Sequence, residues 1–244
     1  MLAPSTLKIR YRFVFGDGRI REHTVELSAS NGRLERSYGQ NEQEASVAWV
    51  NSWAALEHKK CDHCPLNPKD NPLCPVAKNL AHATDDFKGE KSYEKVSVEV
   101  IAPERTYKKD LPLQEGLFGL FGLIMATSTC PYFEFLRPMA RFHLPFSTFK
   151  ETTVRSVSLY LLRQYFVAKK GDAPDYTLDE FKKHYQKLEQ VNLGLSRRIR
   201  AAAHADVEAN SIVILDAFAK LLTVQLGDGL KDLEPIFTVP LTGS

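Results

Sequence analysis

The chain is expected to be an α+β protein, with N-terminal antiparallel β-hairpins and a Cys-rich loop packed on a C-terminal all-helical layer. Two patterns lead there. Up to about residue 110 apolar side chains recur at every second position, the period of a half-buried strand; beyond it they recur at every third or fourth, the period of an amphipathic helix. The change of period separates a β region with its Cys-rich loop, residues 1–110, from a helical region, residues 111–244, the two forming one compact unit.

Leu7, Ile9, Tyr11, Phe13 and Phe15 alternate with Lys8, Arg10 and Arg12, so residues 7–15 read as a strand. Gly16-Asp17-Gly18 supplies a turn, and Arg21, His23, Val25 and Leu27 alternate against Glu22, Thr24 and Glu26 as the return strand. Residues 28–46 are polar and read as a loop or a short edge strand. Val96, Val98 and Val100 share a face of a second hairpin that turns at Pro103-Glu104 into residues 105–109. Leu113, Leu117, Leu120, Phe121 and Ile124 then mark a central helix behind Pro112, with Gly116, Gly119 and Gly122 allowing close packing.

Thr148-Phe149-Lys150-Glu151 has the form of a capping box and starts a helix whose apolar stripe is Val154, Val157, Leu161, Leu162 and Tyr165, ending at Lys169-Lys170-Gly171. Thr177-Leu178-Asp179-Glu180 repeats the box before a helix carrying Phe181, Tyr185, Leu188, Leu195 and Ile199. The pair Asp172 and Asp175 around Pro174 reads as a turn signal. A last long helix from about Asp206 carries Ile212, Leu215, Ala219, Leu222 and Leu226, followed by a short helical tail.

Composition narrows the classes of function. With 244 residues, 43% of them hydrophobic and 25% charged, the chain is an ordinary globular protein rather than a disordered or collagen-like one. Lys and Arg number 32 against 30 Asp and Glu, for a formal charge of +2. Residues 131–170 concentrate positive charge, but no basic groove with interleaved aromatics accompanies them, so nucleic-acid binding is not expected. The uninterrupted apolar run Gly116 to Ala126 is shorter than a membrane span requires, and no membrane association is expected. No secretory signal pattern opens the chain, which points to a cytoplasmic location where thiols stay reduced.

The most specific chemical signal is a set of four cysteines. In Cys61-Asp62-His63-Cys64-Pro65-Leu66 the second cysteine is followed after nine intervening residues by Cys74-Pro75, and Cys130-Pro131 comes much later. A two-residue gap lets Cys61 and Cys64 reach one tetrahedral centre from a tight turn, and Cys74 and Cys130 would complete an all-sulfur shell. Three of the four precede Pro, which removes a backbone N–H and sets the chain direction beyond a ligand. Zinc is the favoured occupant, although ligand type alone does not separate it from an iron–sulfur cluster, and a thiol redox pair or simple packing without any cofactor also fits the inventory. Against zinc, a ribbon normally presents two close pairs, whereas here the fold must bring Cys130 in.

A second candidate is Arg137-Pro138-Met139-Ala140-Arg141-Phe142-His143-Leu144-Pro145-Phe146. Arg137, Arg141 and His143 there form a possible anion-binding wall, unless the guanidiniums pair with acids such as Glu134 and Glu151 while His143 packs a loop. Nucleophile elbows, phosphate loops, dinucleotide glycine motifs and His-Glu-x-x-His are missing.

Cys64-Pro65-Leu66, Cys74-Pro75-Val76-Ala77, the stretch from Met125 to Pro131 and the Arg-Phe-His-Leu-Pro-Phe segment at Arg141–Phe146 resemble an uncharacterised bacterial family, a domain of unknown function, over nearly the whole chain. The resemblance implies no activity, ligand or partner, so the site expectations rest on spacing. They amount to a non-enzymatic regulatory or scaffold protein with a structural four-cysteine zinc site and another protein as partner. The alternatives are an iron–sulfur or thiol-based redox sensor or enzyme with the Arg/His anion site beside it, and a metal-free interaction module.

Overall fold

Both predicted hairpins form. The computed structural model describes residues 5–39, 50, 52–201 and 206–238. β1 (Thr6–Phe15) pairs with β2 (Ile20–Ser28) across the Gly-rich turn, where Gly18 takes a φ of 87°. β3 (Leu34–Gly39) adds to β2 as an edge strand, and β4 (Lys95–Ile101) and β5 (Thr106–Pro112) form the second hairpin on the other side of β1. The result is an antiparallel five-stranded sheet in the order β3-β2-β1-β4-β5. The reading of residues 28–46 meets β3 within it, and residues 40–46 lie outside the described residues.

One face of this sheet is covered. Tyr11, Phe13, Val25, Leu27, Val98 and Val100 are fully enclosed, as the period-two pattern requires. Against them lies α1 (Pro75–Asp86), a helix absent from the sequence reading, which treated the surroundings of Cys74 as loop. Its signals are present in retrospect: Pro75 stands in the first turn, and Val76, Ala77, Leu80, Ala81 and Thr84 are buried at helical spacing. The Pro- and Asn-rich approach, residues 65–73, masked them.

The central helix α2 (Leu113–Ala126) packs beside α1 and on the sheet. Two of its glycines do what the spacing suggested. A Cβ at Gly116 would stand 2.8 Å from the Phe13 ring, and one at Gly119 2.9 Å from the Tyr11 hydroxyl, so only glycine lets the helix descend to these two aromatic side chains. A 3-10 turn (Pro131–Leu136) and a short α3 (Arg137–Arg141) lead to α4 (Phe149–Lys169). α5 (Asp179–Ala201) and α6 (Asp206–Gly227) pair with each other, α6 also against α2, and α7 (Glu234–Phe237) follows. One continuous hydrophobic cluster runs from β1 to Leu222.

Three expectations about the helices need correction or extension. The capping box at Thr148 is complete, with Thr148 Oγ1 accepting from the Glu151 N–H and the Glu151 carboxylate accepting from the Thr148 N–H. The stripe assigned to α4 is rotated: Val157 is buried, but Leu162 and Tyr165 are about half exposed, and the inward face is Thr153, Ser156, Val157, Tyr160 and Gln164. These polar side chains are satisfied inside, Ser156 by the Tyr185 hydroxyl at 2.6 Å and Gln164 by the Asp175 N–H, so polarity did not send them outward. Thr177 does not cap α5; the Asp175 carboxylate does, accepting from the N–H groups of Asp179, Glu180 and Phe181. Finally, Ala209–Gly227 of α6 is long and apolar enough to cross a membrane, though it carries the Asp216–Lys220 ion pair and turns Ile212, Ala219 and Leu222 into the core.

Candidate metal centre and the Arg-His segment

The Cys-rich loop is irregular but tightly held. Cys64 N–H donates to Cys61 O at 3.0 Å, closing the Cys-x-x-Cys turn. Cys74 N–H donates to Ala54 O at 2.7 Å and Leu56 N–H to Pro72 O at 2.8 Å, around a bridge between Ala55 and Leu73. The Asn67 side chain accepts from Lys69 N–H in a local turn. Cys130 enters from a different part of the chain, immediately after α2, and the following 3-10 turn presents Tyr132, whose hydroxyl donates to the His63 carbonyl. That bond ties the Cys61–Cys64 turn to the Cys130-Pro131 segment.

All four thiols fall within one another's electrostatic field. Ionisation of Cys130 is opposed by Cys74, Cys61 and Cys64, and that of Cys61 by Cys74 and Cys64. The larger influence on both is burial, which pushes Cys61 up to about 11 and Cys130 up to about 12. Both are therefore neutral thiols at pH 7, unlike the acidified cysteine of thiol–disulfide enzymes. All four are free, with no disulfide among them. Among the described residues, no group of three or more His, Cys, Asp or Glu side chains stands where it could hold a metal ion.

α5 closes the other side. Gly194 lies against Cys61, where a Cβ would come within 2.7 Å of Sγ. One turn on, Arg198 is only 2% exposed and donates to Trp53 O at 2.9 Å, Ala55 O at 2.8 Å and Leu56 O at 3.0 Å. No carboxylate pairs with it among the described residues; the potentially negative groups it faces are Cys74, Cys61 and Cys64. A guanidinium inside a protein ordinarily has an acidic partner, because removing an unpaired charge from water is costly. Among the described residues, the groups in that position are thiols.

Sequence reasoning named the four cysteines and missed Tyr132, Gly194 and Arg198. The signals were there: glycine inside a helix costs about 1 kcal/mol relative to Ala, and Arg198 occupies a core position on the stripe Val191, Leu195, Ile199. The predicted anion wall is divided. Arg137 bonds Glu134 at 2.8 Å, as the pairing reading expected, whereas Arg141 meets Glu104 at 3.7 Å and Glu151 is occupied at the α4 cap. His143 turns inward, its Nε2 2.5 Å from the Tyr11 hydroxyl; burial, then the Arg155 guanidinium, hold it down at about 3, so it is a neutral imidazole.

One further polar chain was not anticipated. His23, fully buried, contacts Asp86 through Nδ1 at 2.9 Å and Ser37 Oγ through Nε2 at 2.8 Å. The order matches a nucleophilic Ser-His-Asp relay, yet none of the three residues lines the cavities described below. Its role is to satisfy an imidazole within the core and to join β2, β3 and α1, with Gly39 leaving room for the Asp86 carboxylate.

The class these observations define is an α+β protein whose cysteine-bearing loop is clasped to its helical layer around four thiols and a guanidinium. The chain belongs to the family described as domain of unknown function DUF6901, whose model it matches over residues 9–238. No curated protein and no solved structure matches it.

Proposed function

We propose that Cys61, Cys64, Cys74 and Cys130 bind one thiophilic metal ion, zinc in first place, in a non-enzymatic regulatory or scaffold protein that acts through another protein. The observation that carries the reading is that four free thiols, from three separate stretches of chain, lie within electrostatic reach of one another beside a buried guanidinium that has no carboxylate partner among the described residues. Zinc held by four thiolates has a net charge of −2, and Arg198 supplies a compensating positive charge at its edge. Sulfurs about 2.3 Å from a common ion would require the four thiols to draw closer together than they stand here. The neutral state of Cys61 and Cys130 speaks against a thiol redox pair, which needs a lowered pKa, whereas an ion would have to displace the thiol protons on binding. A metal here joins the loop to the end of α2, a structural task.

The test is elemental analysis of the full chain purified without a metal-binding tag under anaerobic conditions. About one zinc per chain is the expected stoichiometry of a single tetrahedral site. Several irons with a brown colour would replace zinc by a cluster on the same four sulfurs, and protein free of any metal after expression in supplemented medium would overturn the reading.

A further inference from the structure

Behind the Arg-His segment lies a half-open inner cavity of about 140 Å³, formed between α2, the loop of residues 143–147, α5 and α6 and walled by Phe118, Leu123, Phe133, Met139, Phe146 and Phe218. An apolar cavity of about 150 Å³ takes up benzene, so this volume suits one ring or a branched chain of similar size. Its lining is not wholly apolar. Asn192 is 4% exposed, and its amide makes no hydrogen bond to any described residue. His143 spends Nε2 on Tyr11, and its Nδ1 has no partner among the described residues. Arg155 donates through Nη2 to Met139 O at 3.2 Å and Phe142 O at 2.5 Å and has no carboxylate within ion-pairing distance among the described residues. Glu151, one turn earlier on α4, is occupied by the Thr148 cap.

His143, Leu144 and Arg155 also line a second, outer cleft of about 400 Å³. Around it stand Arg105, Arg141 and Arg155 against a single acid, Glu104, which Arg141 already engages. An apolar chamber with unpartnered polar atoms thus shares a wall with a cationic one, and the guanidinium without a counter-ion sits in that wall. Phe146, on the loop between them, holds a φ of 60°, a conformation unusual for an aromatic residue.

We propose that this is a binding site for a small organic carboxylate with an apolar body, aromatic or branched aliphatic, the body filling the inner cavity and the carboxylate meeting Arg155. The planar guanidinium fork matches a carboxylate with two oxygens. The site is independent of the cysteines and stands or falls apart from the metal reading.

Calorimetric titration of the full chain with benzoate, benzyl alcohol, acetate and inorganic phosphate tests it. Benzoate is expected to bind at least about tenfold more tightly than benzyl alcohol, which lacks the charge, and than acetate, which lacks the body. Gly122→Ala places a methyl 3.5 Å from Leu215 without a clash; it is expected to weaken benzoate about tenfold while the melting temperature holds or rises, since Ala favours a helix. Absence of benzoate binding at millimolar concentration, equal binding of acetate or phosphate, or unchanged benzoate affinity in the folded Gly122→Ala variant would each overturn the proposal.

Discussion

Arg198 is enclosed by the fold and His143 is partly so, and each answers to a different balance. The His143 ring is held near 3 by burial and by Arg155, with the Tyr11 hydroxyl against its Nε2. In the unfolded chain a histidine takes up a proton below about 6.5. Between these values the unfolded state binds the extra proton, so stability is complete above about 6.5 and is lost as pH falls toward 3, at up to about 1.4 kcal/mol per pH unit. Urea unfolding followed between neutral and acid pH should show this slope in the native chain and a shallower one in His143→Gln; identical slopes would mean that the ring titrates normally. Arg198 keeps its charge because three carbonyls and the thiols surround it, which is why its removal would disturb both the Trp53–Leu56 backbone and the cysteine loop.

Helix ends and helix faces show where local pattern meets its limits. The α4 start is legible because a capping box is a contact between residues three apart, and Thr148 and Glu151 need nothing else. The α5 start has the same four-residue form at Thr177–Glu180, but Asp175 is closer to the free N–H groups, and Leu178 takes a φ of 69° to let it in. Asp175→Ala is therefore expected to cost about 1–2 kcal/mol of stability, and Thr177→Ala less than half of that, measured by chemical denaturation. Equal losses would return the cap to Thr177. The α4 face was misjudged for a related reason: Leu162 and Tyr165 are as apolar as Val157, but which of them points inward depends on where α5 and the Asp175 turn stand, since those supply partners for Ser156, Tyr160 and Gln164.

Across the molecule, the four cysteines join the loop after Leu56, the start of α1 and the end of α2, three places that the chain order keeps apart. If a metal spans them, Cys→Ser at Cys61, Cys64, Cys74 or Cys130 should each lower the thermal midpoint by a similar large amount, because every substitution breaks the same cross-link. Chelation of the native protein should reproduce the effect. Loss confined to Cys130, the most buried of the four, would instead be the mark of a packed core residue.

The strands and the long helices could be read from residue order, since period two and period 3.6 are properties of neighbours along the chain. Helix α1 escaped because the Pro- and Asn-rich stretch before it obscured a start that Pro75 signals. Arg198, Gly194, Tyr132, Arg155 and Asn192 gain their meaning from groups distant in sequence: Trp53, Cys61, His63, Phe142 and the walls of a cavity. Their roles were set when the sheet, α5 and α6 closed on one another, because burial and the absence of a partner are relations between distant segments, and no window along the chain contains both sides of them.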